Sequence, residues 1–308
     1  FYEPSDAIQW LNVDSPGNGS TGPNQRPEAP PEGAVFDYYL AEDATDEAPV
    51  ELEVVNPEGD VVRHWSTAAE PPEGGGGFFS STLDESIPDE AGHHRVTWDF
   101  RYPGVTEKPD DVQMWGYTGG FPAAPGTYTA RMIAGGDTTS HSFTVRKDPN
   151  LESVTNQELE EQEQFGRTIR DTLNSLYAHL QQVRDVRDQV ESTAEYASKA
   201  GAPESIQETA DELSATLDSL AYELYQHQNE SGQDAINYPP KLGSQVAAVY
   251  GVVIGGMSPP TEGARQRFQD LLPQWADVRS RIRQTMQQEV SSYNDQLEQA
   301  GMSGVIVP

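Results

Sequence analysis

The sequence predicts a two-part β + α protein: a β-sandwich followed by an antiparallel bundle of about four helices. Three observations predict it. Apolar residues recur with a period of two from residue 34 to residue 147. After Asp148-Pro149 the period changes to 3.6 and stays there. Turn and cap residues stand where each run begins or ends.

Residues 1–33 are rich in Pro, Gly, Asn and Ser, with a short apolar cluster of Ile8, Trp10, Leu11 and Val13. They are expected to form a linker or docking segment whose first third adds a strand or packs on a neighbour. The sandwich is expected over 34–148. Its strands fall at 34–40, 50–55, 60–66, 94–100, 127–134 and 140–146, all rich in Val, Tyr, Phe, Thr and Trp. Asn56-Pro57-Glu58-Gly59-Asp60 sets Pro early and Gly late in a tight turn, and Gly135-Gly136 tolerates positive φ, so both sites are hairpins. The stretch 67–92, with glycine at 74–77, reads as a long loop between two strands.

The bundle is expected over 149–308. Thr155-Asn156-Gln157-Glu158 has the form of a capping box and starts the first helix. Phe165, Ile169, Leu173, Leu176, Leu180, Val183 and Val190 keep one stripe along it. Ile206, Ala210, Leu213, Leu217, Leu220 and Leu224 form the stripe of a second helix beyond Gly201-Ala202-Pro203. A third is expected over 242–254. A fourth starts near Thr261-Glu262 and carries Phe268, Leu271, Trp275, Val278, Ile282, Val290 and Leu297. Pro273 lies inside it and removes one helical hydrogen bond, which should bend it. Pro239-Pro240 forbids helix and aims the third.

The charge balance narrows the function. With 50 acidic against 19 basic residues the net charge is −31, so nucleic acid and anionic membrane are not expected partners: both require a basic footprint. Only Lys108, Lys147, Lys199 and Lys241 are lysines, and the apolar fraction is 35%. Such a surface is adapted to strong salt, where screening over a few ångströms removes self-repulsion, and a halophilic or marine source is expected. Thirteen Tyr, nine Phe and five Trp within periodic segments argue against a disordered acidic chain. The absence of cysteine removes disulfides and thiolate chemistry. No apolar run approaches the ~20 residues of a membrane-spanning helix. The opening Phe1-Tyr2-Glu3-Pro4 suits a piece of a longer protein or a processed product.

Site chemistry is sparse. His64, His93, His94, His141, His179 and His227 have no metal-ligand spacing, and adjacent His93 and His94 should point to opposite faces of a strand. Acidic loops at 42–47 and 107–111 offer calcium-type oxygens without an EF-hand pattern, so solvated charge is the favoured reading and no metal or cofactor is expected. No nucleophile elbow or phosphate-binding loop occurs. One loop stands out, Met114-Trp115-Gly116-Tyr117-Thr118-Gly119-Gly120-Phe121. Trp115, Tyr117 and Phe121 form a candidate stacking platform for a glycan or a protein ligand. The competing expectation, which is favoured, is that Trp115 and Phe121 close the sandwich or pack on the bundle, because large aromatics are mostly buried.

Gly59-Asp60-Val61-Val62-Arg63, Gly92-His93-His94-Arg95-Val96-Thr97-Trp98-Asp99 and Ala124-Pro125-Gly126-Thr127-Tyr128-Thr129 resemble the Ig-like domain of flagellar hook-capping proteins. A wider resemblance runs from about residue 1 to the C-terminus. It is carried by Pro30-Pro31-Glu32-Gly33-Ala34-Val35-Phe36-Asp37-Tyr38-Tyr39-Leu40, by residues 96–104, and by Ile236-Asn237-Tyr238-Pro239-Pro240-Lys241-Leu242. These stretches are similar to the C-terminal region of large bacterial BNR/Asp-box or sortilin-like propeller proteins, often labelled glycosyl hydrolase. The resemblance implies an Ig-like sandwich, an upstream propeller of the same polypeptide as partner, and export to the periplasm, cell surface or medium. It implies a hydrolase only through the propeller. No Ser-x-Asp-x-Gly-x-Thr-Trp box occurs here, and pairs such as Asp84-Glu85 or Asp110-Asp111 are expected on any such acidic surface, so no catalytic residue is carried over. The chain is therefore expected to be a non-catalytic accessory or interaction region, the alternative being the glycan-binding or catalytic part of the hydrolase.

Overall fold

The structure, a computed structural model, describes residues 1–10, 33–68, 84–109, 111–112, 116–231 and 234–307. A β region is followed by four helices packed together. Packing sorts the chain into two compact units that exchange segments: the first comprises residues 1–106, 118–167 and 253–260, the second 107–117, 168–252 and 261–308.

The first unit holds β1 (Ala7–Gln9), β2 (Ala34–Leu40), β3 (Glu51–Val55), β4 (Val61–Ser66), β5 (Asp84–Ser86), β6 (Gly92–Trp98), β7 (Gly126–Ala134) and β8 (Asp137–Lys147). The expected strands are therefore present within a few residues. One sheet has the order β1-β8-β7-β3-β4-β5, the other is the pair β2-β6. β1 is the strand expected from the first third of the leading segment, and it runs parallel to β8. β5 corrects the sequence reading, since it falls inside the stretch taken as loop and pairs parallel with residues 64–66. Three residues without strong alternation carry too little pattern to mark a strand. Glycine 74–77 lies outside the described residues.

Both hairpins form as the turn residues require. Asn56 accepts from the Gly59 N–H at 3.1 Å, Asp60 N–H donates to Asn56 Oδ1 at 2.7 Å, and Gly59 has φ +95°. Gly135 and Gly136 have φ +57° and +84°, the pair of positive values that a two-residue turn matching strand twist demands.

The two sheets face each other through aromatic rings. Phe36 of β2 meets Phe143 of β8 at 5.4 Å, and Trp98 of β6 meets Tyr128 of β7 at 5.0 Å, both edge to face. All four side chains are buried. Each contributes roughly 1.5–3 kcal/mol by burial, and such ring pairs about 0.5–1.5 more. Tyr128 Oη donates to the Ala124 carbonyl at 2.7 Å, which lets a phenol enter the core with its hydroxyl satisfied. On the outer faces, directly paired residues carry opposite charge. Arg95 holds Asp37 with two bonds of 2.8 and 3.0 Å, and Arg131 holds Glu53.

The helices are α1 (Asn156–Lys199), α2 (Glu204–Leu224), α3 (Leu242–Ile254) and α4 (Glu262–Gln299), with a 3₁₀ turn at Asp234–Ile236. The capping box is made: Glu158 N–H donates to Thr155 Oγ1 at 3.2 Å and Thr155 N–H to Glu158 Oε2 at 2.8 Å. Thr261 caps α4 through its hydroxyl, which accepts from Ala264 N–H, without the return bond that Glu158 supplies at α1. α4 continues through Pro273 as one helix.

Within the second unit, contact levels give the helix directions. Arg187 of α1 meets Asp218 of α2, while Glu223 and Thr209 of α2 meet Arg281 and Gln296 of α4, so α2 is antiparallel to both. His179 and Val190 of α1 meet Trp275 and Tyr293 of α4, so α1 and α4 are parallel. α3 begins at the level where α2 stops. A Cβ placed on Gly243 would lie 2.9 Å from Tyr177 Oη and 3.0 Å from the Leu224 carbonyl oxygen, so α1, the end of α2 and the start of α3 meet at a point that admits only glycine. α2 and α3 thus follow one another along α1, and the four helices make a bundle three rods thick.

Candidate functional site

A polar cleft between α1 and α2 gathers the chemistry of the second unit. α1 supplies Arg184 and Arg187, one turn apart and on one face. α2 supplies Asp218 and Tyr222, which share a face, and Tyr225 follows at its end. Asp111 comes from the loop 107–117, which Glu107 N–H anchors to Asn174 Oδ1 at 3.4 Å and Lys108 Nζ folds back onto the Val112 carbonyl at 3.0 Å. The cleft encloses about 410 Å³, within the range of small-molecule sites.

Arg184 grips Asp111 through two parallel bonds of 2.9 Å each, and its guanidinium lies 4.7 Å over the Tyr225 ring. Those bonds hold the Asp111 carboxyl below the usual carboxylate range, against a smaller opposing effect of burial. Burial alone would lower the Arg184 pKa, but the bonds to Asp111 and Tyr225 outweigh it and raise it. Arg187 sits among Asp188, Glu191 and Asp218 at 3.1, 3.0 and 2.8 Å. Its Nε lies within ion-pair distance of Asp218 Oδ1 but without hydrogen-bond alignment, so this contact is electrostatic only. Tyr222 stacks on His227 at 3.7 Å. Burial and the nearby Asp218 raise the Tyr222 pKa, keeping it a neutral donor. The arrangement presents two fixed cations, an exposed carboxylate rim and phenol rings. It can bind a polar ligand and stack a ring.

A wider recess of about 610 Å³ lies farther along the same helices, floored by Ala194, Ala210 and Ser214 and rimmed by Glu191, Glu195, Lys199 and Asp211. It contains no aromatic side chain, so the smaller cleft holds the convergent groups. Among the described residues, no three His, Asp or Glu side chains come together as a metal site.

The residues singled out in the sequence lie elsewhere. Trp115 falls outside the described residues. Tyr117 is half-buried in the second unit, its N–H 3.4 Å from the Ala247 carbonyl and its ring 5.9 Å from Tyr250. Gly116, with φ +135°, brings the loop so close to α3 that a Cβ would lie 2.6 Å from Ala247 Cβ. Phe121 is fully buried in the first unit, stacked on Tyr102 at 4.6 Å, and offers no face to solvent. Tyr117 and Phe121 therefore belong to different compact units. His93 and Asp37 share the outer face of the two-stranded sheet, whereas His94 faces Tyr38 at 5.2 Å.

Arg184, Tyr222 and Tyr225 escaped sequence reasoning because they border the apolar stripes as ordinary polar positions. The spacing of Arg184 and Arg187 gave no signal either, since Arg167 and Arg170 repeat it on the same helix and Arg279 and Arg283 lie one turn apart on α4. Compared with protein-family models, with curated proteins and with solved structures, the chain matches none of them.

Proposed function

We propose that the chain is a non-catalytic interaction region of a larger exported protein from a high-salt source, joined to an upstream propeller of the BNR/Asp-box or sortilin-like kind. The observation that carries the reading is the state of its carboxylates. Wherever, among the described residues, burial, charge or hydrogen bonding shifts one, as at Asp37, Asp111, Glu223 and Asp234, the shift is downward, because a guanidinium or a neighbouring hydroxyl or N–H holds the anion. Glycoside hydrolysis by a carboxyl pair needs the opposite at one member, an acid kept protonated near neutrality.

Topology supports the Ig-like assignment of the β region. The order β8-β7-β3-β4 beside a separate pair β2-β6 is the order expected if these are strands G-F-C-C′ and B-E of such a sandwich, and β1 lies parallel to the last strand. Tyr128, near the start of β7 with its hydroxyl on the Ala124 carbonyl, has the position and bond of a tyrosine corner.

The test is the parent polypeptide with and without residues 1–308. Removal is expected to lower folding yield or ligand retention and to leave turnover per folded molecule unchanged. Unimpaired folding with lost turnover overturns the reading.

A second reading, glycan recognition, is favoured by the cleft at Arg184 and Tyr225. Tyr225→Ala should then abolish retention on a glycan surface with melting unchanged. Equal retention by both proteins removes that reading.

A further inference from the structure

Residues 304–306 lie extended between α1 and α4, and the way they are held is unusual. Asn294 of α4 makes both hydrogen bonds of a strand neighbour to Val305, donating Nδ2 to its carbonyl at 2.9 Å and accepting its N–H on Oδ1 at 2.7 Å. Gln189 of α1 does the same to Ile306, with Nε2 to the carbonyl at 3.0 Å and the N–H to Oε1 at 2.9 Å. In an extended chain, consecutive residues turn their N–H and C=O to opposite sides. Two amides, one per side, therefore flank this segment as two further strands would flank a central one. A carboxamide suits the task because it carries a donor and an acceptor side by side.

Side chains are read unequally. Val305 is 6% exposed and its side chain is buried, whereas Ile306 is 74% exposed. A Cβ on Gly304 would lie 2.8 Å from Asn294 Oδ1, so a small residue is needed there. The groove thus accepts a short extended peptide with a small residue, then a buried β-branched one, then any residue.

We propose that the groove around Gln189 and Asn294 is a binding site for an extended segment of another polypeptide with this pattern, occupied in the structure by the chain's own residues 304–306. Main-chain pairing gives affinity without reading every side chain, as in recognition by strand addition. The chain's own segment competes at an effective concentration in the millimolar range, about what a short flexible tether gives. It weakens every competing peptide by one factor, the ratio of that concentration to the segment's own dissociation constant, because only the fraction of grooves left open can bind.

The experiment uses the full chain carrying Val305→Asp, which evicts the segment without shortening the protein, and a fluorescein-labelled Ser-Gly-Val-Ile-Val peptide followed by anisotropy. The peptide is expected to bind this variant at least about tenfold more tightly than the unaltered chain. Adding Asn294→Ala should weaken it about tenfold, as should Gly→Ala in the peptide. No binding to a folded Val305→Asp chain, or binding indifferent to Asn294→Ala, overturns the proposal. So does unfolding of the variant, rechecked with Val305→Ser, because the segment is then part of the bundle's core. Dimers of the unaltered chain that Val305→Asp returns to monomers also overturn it, making the occupant a second copy.

Discussion

Arg167 and Arg184 stand on the same helix and make the same kind of contact with different consequences. Arg167 lies 4.6 Å over the Tyr102 ring, and Arg184 lies 4.7 Å over Tyr225. Each also binds a carboxylate, Glu163 at 3.0 Å and Asp111 at 2.9 Å. The partners differ in exposure: Glu163 has 13% of its side chain exposed, Asp111 has 68%. Glu163 uses its second oxygen to accept the Ala124 N–H at 2.7 Å, and Tyr102 lies buried against Phe121 with its hydroxyl bonded to Asn56. Around Arg167 the carboxylate it hydrogen-bonds and the ring it covers are both committed to the fold of the first unit, and only Asp60, at 3.9 Å, is exposed. Around Arg184 the carboxylate is on the rim, where a ligand can replace it. An arginine over a tyrosine is therefore a joint or a recognition element according to what surrounds it, not according to the pair itself.

Substitutions should break this comparison in a graded way. Phe121→Ala removes the ring beneath Tyr102 and should cost about 3–5 kcal/mol in denaturant unfolding, whereas Tyr225→Ala should cost under about 1 kcal/mol. A similar loss from both would erase the distinction. Arg167→Ala leaves Glu163 and the Tyr102 face without their cation and is expected to cost about 1–2 kcal/mol, against under about 1 kcal/mol for Arg184→Ala.

Titration sharpens the same contrast. Burial, with Glu163 nearby, pushes the Tyr102 phenol from 10.0 to about 12, and burial pushes Tyr38 likewise. The unfolded phenols lose their protons first, so this stability is complete below pH 10 and disappears as pH rises toward 12. On the acid side, Asp37 and Asp111 are held below 3.8 by guanidinium bonds. Their contribution is present above that value and is lost as pH falls through the lowered one. Tyr102→Phe should reduce the alkaline loss and leave the acid limb in place. Unchanged alkaline unfolding in this variant would show that another group governs it.

The smallest effect concerns salt. With a net charge of −31, adding salt should raise the melting temperature of the whole chain by several degrees even as exposed pairs such as Lys199–Glu195 are screened. A melting temperature that falls with salt would mean that the pairs outweigh the repulsion.

Much of the fold was legible along the chain because its signals are local. Alternation marked β2, β3, β4, β6, β7 and β8, and Gly59, Gly135 and Gly136 marked the turns by the backbone they permit. Thr155 with Glu158 placed the start of α1, and Thr261 that of α4. The candidate site was not legible, since Asp111, Arg184 and the pair Asp218 and Tyr225 come from three separate segments and no spacing rule joins them. Phe121 is the instructive case: its place beside glycines in a loop suggests an exposed ring, whereas the general burial of large aromatics favours packing, and it is buried on Tyr102.

By itself the sequence determined where strands and helices lie, since period, caps and turns act over a few residues and do not depend on the neighbours reached later. Tertiary structure alone decided that α2 and α3 share one rod along α1, that loop 107–117 packs with the helices, and that Gln189 and Asn294 close on residues 305 and 306. Those outcomes depend on which apolar faces meet in three dimensions, and a one-dimensional pattern gives each face without naming its partner.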